Sequence, residues 1–129
     1  MRFAYTIFYV EDVARSLAFF HDAFGFSTGF VDESGDYGEL DTGETRLAFS
    51  SRTLMRQLGK KPGIPEPNAP VFEIAIETTD VAAALERAQT AGAVVVQQVQ
   101  EESWGQTTAY VRTPDGYLVE LCSPIAMPS

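Results

Sequence analysis

Val10-Glu11-Asp12-Val13-Ala14 and Thr78-Thr79-Asp80-Val81-Ala82 align at a constant offset of 68 residues. Leu17 with Leu85 and Ala23 with Ala91 keep the same offset. In each copy an aspartate stands just before an apolar stripe, where a short carboxylate satisfies the free N–H groups of a starting helix. After Asp12 the stripe is Val13, Leu17, Phe20 and Phe24, at helical spacings, and Gly25 ends it. After Asp80 it is Val81, Ala84, Leu85 and Ala88, ended by Gly92. Upstream of each helix a β-branched and aromatic run, Phe3–Val10 and Val71–Thr78, reads as a strand. Downstream, Phe26–Phe30, Tyr37–Asp41 and Thr45–Ser50 read as three strands, and Ala93–Val99, Gln106–Arg112 and Tyr117–Cys122 as three more. The pattern is βαβββ, twice.

Leu54, Met55 and Leu58 suggest a short helix closing the first copy before Gly59. Pro62, Pro65, Pro67 and Pro70, with Gly63, then make a stiff extended connection that neither a helix nor an inner strand accepts. The expected organisation is one α+β domain of two tandem βαβββ modules, about 1–59 and 70–123, with a linker at 60–69. Each module is expected to put its helix on one face of a curved sheet and leave the other face open, the pair forming an open cup.

The second module closes on Thr113-Pro114-Asp115-Gly116-Tyr117-Leu118-Val119-Glu120-Leu121-Cys122. Pro, Asp and Gly in succession preset a tight turn, and the flanking apolar residues make it a hairpin. Side chains alternate along a strand, so Val119 and Leu121 are expected inside and Leu118, Glu120 and Cys122 on the open side. The same parity turns Phe72, Ile74 and Ile76 toward the helix and leaves Glu73, Ala75 and Glu77 open. It also opens Tyr5, Ile7 and Tyr9 on the first strand, Arg46, Ala48 and Ser50 on the fourth, and Thr108, Tyr110 and Arg112 in the second copy.

A net charge of −9 over 129 residues argues against a nucleic-acid partner, which requires a basic footprint. One cysteine rules out an internal disulfide framework and makes a reducing, cytoplasmic setting the expectation. No apolar run approaches the roughly 18 residues of a membrane span, and no signal-like apolar segment opens the chain. Arg46, Arg52, Arg56, Lys60 and Lys61 cluster, with no Asp or Glu from 46 to 61. They make either a solvated helix face or an electropositive rim that steers a small anion.

Paired βαβββ units with these motifs resemble the vicinal oxygen chelate superfamily of glyoxalases, bleomycin-resistance proteins and extradiol dioxygenases. Val10 to Phe20, Phe24-Gly25-Phe26 and Thr113 to Leu121 carry the resemblance. It implies a homodimer and, in metal-using members, ligands on the first and last strands of each unit. Those ligand positions fall on Tyr5, Ala48, Glu73 and Glu120, where the family's enzymes have histidines and glutamate. The single histidine, His21, lies on the first helix.

Two carboxylates and no histidine suit Mg²⁺ or Mn²⁺ only weakly, and Tyr5 could add a third ligand only if its phenol ionised. No cofactor is therefore favoured. Glu73 and Glu120, the candidate catalytic pair, either share a proton, or are neutralised by Arg46 or Arg112, or bind a cationic or polyhydroxylated ligand. Tyr5, Ile7, Arg46, Ala48, Trp104, Tyr110, Arg112, Leu118 and Cys122 are the expected pocket, with Phe72 at its edge. Cys122 reads as a lone buried thiol and Trp104 as either a pocket wall or a packing residue. The expected function is small-molecule binding, as in bleomycin-resistance proteins. The alternative is a divalent-metal lyase, isomerase or dioxygenase of the glyoxalase type at Glu73 and Glu120.

Overall fold

Asp12 accepts a hydrogen bond at Oδ1 from the Arg15 amide (3.1 Å) and so caps helix α1, Val13–Phe24. In the computed structural model, which describes residues 1–125, the first unit spans Met1–Ile64 and the second Pro65–Ser129. The first unit holds β1 (Tyr5–Val10), α1, β2 (Ser27–Val31), β3 (Tyr37–Asp41), β4 (Arg46–Ser51) and the short α2 (Arg52–Gln57). Its sheet runs β1-β4-β3-β2, with β1 and β4 parallel and the other pairs antiparallel. The core is aromatic. Phe8, Phe20 and Phe49 are at most 1% exposed, and each burial contributes about 1.5–3 kcal/mol. Their rings meet edge-on or tilted, with Phe20 5.2 Å from both Phe24 and Phe49. Gly38 lets α1 lie close to β3, since a Cβ there would stand 2.8 Å from Leu17 Cδ1 and 3.2 Å from Val13 Cγ1.

The second unit repeats the plan. Asp80 Oδ1 accepts from the Ala83 amide (3.0 Å) and caps α3, Val81–Thr90, which follows β5 (Glu73–Glu77). Then come β6 (Val94–Glu101), β7 (Thr107–Arg112) and β8 (Leu118–Cys122), in the order β5-β8-β7-β6. Leu85, Ala88, Val111, Val119 and Leu121 form the buried layer between α3 and the sheet. The fold class is α+β, two tandem βαβββ modules.

The hairpin at Thr113 closes as its residues require. Gly116 N–H donates to Thr113 O (2.8 Å), Thr113 N–H to Tyr117 O (2.9 Å), and Gly116 takes φ +96°. A Cβ on Gly116 would also meet Pro65 Cβ at 3.2 Å, so the turn is packed against the last part of the proline-bearing stretch.

Several strand boundaries differ from the sequence reading by one or two residues. The first strands begin at Tyr5 and Glu73 rather than Phe3 and Val71. Phe72 therefore lies outside the ladder, where the pleat no longer dictates its direction. It is 50% exposed, with its ring 6.2 Å from Tyr117 instead of under the helix.

Candidate functional site

Strand register brings the expected residues of the second unit onto one face. Glu120 of β8 stands opposite Ala75 of β5 on one side and Tyr110 of β7 on the other. Leu118 is opposite Glu73 and Arg112, and Cys122 is opposite Glu77 and Thr108. Glu73 is thus the diagonal neighbour of Glu120, a spacing of roughly 7–8 Å between paired strands. The Tyr110 hydroxyl donates to Glu120 Oε2, which leaves Oε1 for a further partner. That hydrogen bond, followed by burial and the charges of Glu120, Glu73 and Glu102, raises the Tyr110 phenol well above its ordinary value of 10.0. The phenol therefore stays a donor and does not become a base. Glu73 and Arg112 have no side-chain hydrogen bond or ion pair among the described residues. Cys122 is 7% exposed, and burial, then the Glu120 charge, pushes its thiol up, which fits a packed and unreactive cysteine.

Trp104 lies on the connection between β6 and β7 rather than on a strand. Gly105 N–H donates to Glu102 O (3.1 Å), which places the indole at the tip of the β6–β7 hairpin, 60% exposed. Its Nε1–H donates to Gln106 Oε1 (2.7 Å).

The first unit brings Tyr5, Ile7, Arg46 and Ala48 onto its own helix-free face, with Tyr5 opposite Arg46 and Ile7 opposite Ala48. Here the sequence reading missed two residues. Glu39 of β3 stands opposite Ala48. It accepts from the Tyr37 hydroxyl at Oε2 (2.6 Å) and from an Arg46 guanidinium nitrogen at Oε1 (3.1 Å). The Tyr37 hydrogen bond, with help from Arg46, holds the Glu39 carboxyl below its ordinary range, while burial and then Glu39 raise the Tyr37 phenol. Arg46 was expected as a counter-ion for Glu73 or Glu120; its ion pair is with Glu39. Alternation along Tyr37–Asp41 was the available signal, because it puts Tyr37 and Glu39 on one face.

The model of the glyoxalase/bleomycin resistance protein/dioxygenase superfamily matches residues 2–121. The chain belongs to that superfamily. A protein of Bacillus subtilis (strain 168), the uncharacterized YraH, is 23% identical over 115 residues, covering 87% of this chain and 90% of its own. A glyoxalase-related enzyme from Fulvimarina pelagi shares the fold with a TM-score of 0.84 at 20% identity, over 99% of this chain and 91% of that one. A superfamily enzyme from Burkholderia phytofirmans PsJN does so with a TM-score of 0.76 at 20% identity, over 98% and 100%.

The superfamily's metal-using members pose a test of the four corresponding positions. Tyr5, Ala48, Glu73 and Glu120 supply two carboxylates, one of them already bonded to Tyr110. Among the described residues no group of three or more His, Cys, Asp or Glu is arranged to hold a metal ion. His21 lies on α1, its side chain 62% exposed beside Asp22. These donors do not fit a transition-metal centre of two imidazoles and a carboxylate. Among the described residues no helix is long and apolar enough to cross a membrane.

Proposed function

We propose that the chain binds a small organic molecule on the helix-free face of its second unit, through Glu120 and Glu73, without a tightly bound divalent metal. One observation carries this reading: Tyr110 occupies Glu120 Oε2 and orients Oε1, beside the unpartnered carboxylate of Glu73. Two carboxylates on a floor of Leu118 and Ala75 suit a ligand with an amidinium or ammonium group, or one rich in hydroxyls.

Titration calorimetry with benzamidine, a small planar cation, tests it. Saturable binding weakened at least tenfold in both Glu73→Gln and Glu120→Gln, with circular dichroism unchanged, supports the site. Equal binding by all three proteins overturns it. Elemental analysis of protein purified from cells tests the metal clause, since one transition metal per chain, lost in Glu120→Gln, would refute it.

A cytoplasmic homodimer belongs to the same proposal. Phe30 and Val31 on edge strand β2, and Val94, Val96 and Val99 on edge strand β6, are all exposed, a pattern that a second copy would cover. Sedimentation velocity showing only a monomer at micromolar concentration would count against it.

A further inference from the structure

The two units share a register but place their charged side chains at different positions in it. Where the second unit pairs Glu73 with Leu118, the first pairs Tyr5 with Arg46. Where the second sets Glu120 against Ala75, the first sets Ala48 against Ile7. The places of the two acids hold Tyr5 and Ala48 in the first unit, and the place of Leu118 holds Arg46.

We propose that Arg46 anchors a second recognition site, on the helix-free face of the first unit, for the carboxylate of a small planar organic monoanion. The arginine is positioned and not merely exposed. Glu39 Oε1 holds one guanidinium nitrogen at 3.1 Å, and Glu39 is itself held at Oε2 by Tyr37 at 2.6 Å. The pair is asymmetric: the Arg46 side chain is 48% exposed and the Glu39 side chain only 16%. The carboxylate is sheltered and the cation projects. A guanidinium has five N–H donors in a rigid fork, and Glu39 engages one edge, so the remaining donors can grip a second carboxylate in bidentate fashion.

The surroundings select the rest of the ligand. Ala48 is already covered, so the accessible apolar surface beside Arg46 comes from Tyr5 and Ile7, 48% and 38% exposed. A single aromatic ring suits that exposed Tyr5 and Ile7 surface. At the far end of the face Lys60 Nζ stands 5.8 Å over the Tyr9 ring, and an Arg52 guanidinium nitrogen donates to Tyr9 O at 3.5 Å. These cations add positive charge at that end of the face, while Glu39 pairs with Arg46 at the other. Glu39 limits the charge accepted, because a phosphate dianion would meet its carboxylate across the same guanidinium.

Benzoate titrated into isotopically labelled protein, followed by NMR at the Arg46 Nε–Hε and at the amides of Ile7 and Ala48, tests the proposal. Benzamide serves as the neutral isostere and inorganic phosphate as the alternative anion. The expected result is saturable benzoate shifts at these three residues, with benzamide at least tenfold weaker and phosphate not saturating. Arg46→Lys keeps the charge and removes the fork, so it should weaken benzoate at least tenfold while the rest of the spectrum is preserved. Equal binding of benzoate and benzamide, equal saturation by phosphate, or an Arg46→Lys protein that binds benzoate as the parent does would each overturn it.

Discussion

Tyr110 donates its hydroxyl proton to Glu120 across the β7–β8 ladder, so the acid of the second unit is held by a tyrosine on the neighbouring strand. At the same ladder position the first unit pairs Glu39 with Ala48, and its tyrosine, Tyr37, comes from two residues earlier on the same strand as the acid. Each unit thus keeps one carboxylate bonded to one phenol on its helix-free face, but by different routes. The second leaves the Glu73 carboxylate without a side-chain partner among the described residues, and the first leaves a half-exposed guanidinium.

The two bonded phenols should ionise late. Tyr37 and Tyr110 are both pushed above the ordinary value of 10.0, Tyr110 chiefly by its hydrogen bond to Glu120 and Tyr37 chiefly by burial. The ζ-carbon NMR signals of these two residues should therefore show no transition at pH 10. In Glu120→Gln the Tyr110 transition should fall toward its ordinary position while that of Tyr37 stays. An unmoved Tyr110 would mean that the carboxylate is not its main partner.

Acid should weaken the first unit through Glu39. Its carboxyl is held below the ordinary value of 4.5, so the folded form favours the charged state. The stability this gives is complete above pH 4.5 and is lost as pH falls through the lowered folded value. Chemical denaturation from pH 6 down to pH 3 should show this loss, and Glu39→Gln should flatten that limb.

Gly38→Ala should destabilise the protein by about 1–3 kcal/mol, the usual range for overpacking. The new methyl would collide with Leu17 and Val13, which anchor α1 to the sheet. Urea denaturation measures it, and a value near zero would mean that α1 shifts freely over β3.

Cys122 should be inert in the native state. It is 7% exposed, and its thiol is raised above the ordinary value of 9.0, so little thiolate forms near neutrality. Iodoacetamide at pH 7.5 should modify it at least tenfold more slowly in native protein than in urea. Equal rates would contradict its burial.

The architecture was legible because it is written twice. Asp12 and Asp80 cap helices at the same offset, and each is followed by a stripe that needs a sheet to cover it. Face parity was legible wherever a strand alternates cleanly, as at Glu73 to Glu77 and Leu118 to Cys122. Phe72 escaped that logic because the ladder begins one residue later, and outside a ladder alternation has no force. The Glu39–Arg46 pair escaped it for another reason. Parity assigns faces but not neighbours, and only the β3–β4 register sets Glu39 beside Ala48, within reach of Arg46. Trp104 was left between a pocket wall and a packing residue because a bulky aromatic before a glycine fits either, and the sequence does not show its hydrogen bond to Gln106 in the β6–β7 turn.

The chain's one tryptophan has a practical consequence at that turn. An indole 60% exposed, tethered to Gln106 at a hairpin tip, already samples solvent in the folded protein. Its emission will be red-shifted from the start and will respond to the integrity of one β-turn in the second unit. Melting of the phenylalanine cluster around Phe20 will leave that fluorescence nearly silent. A fluorescence denaturation curve of this protein thus describes half of the molecule, and comparison with far-ultraviolet circular dichroism will reveal whether the two βαβββ units lose structure together or in turn.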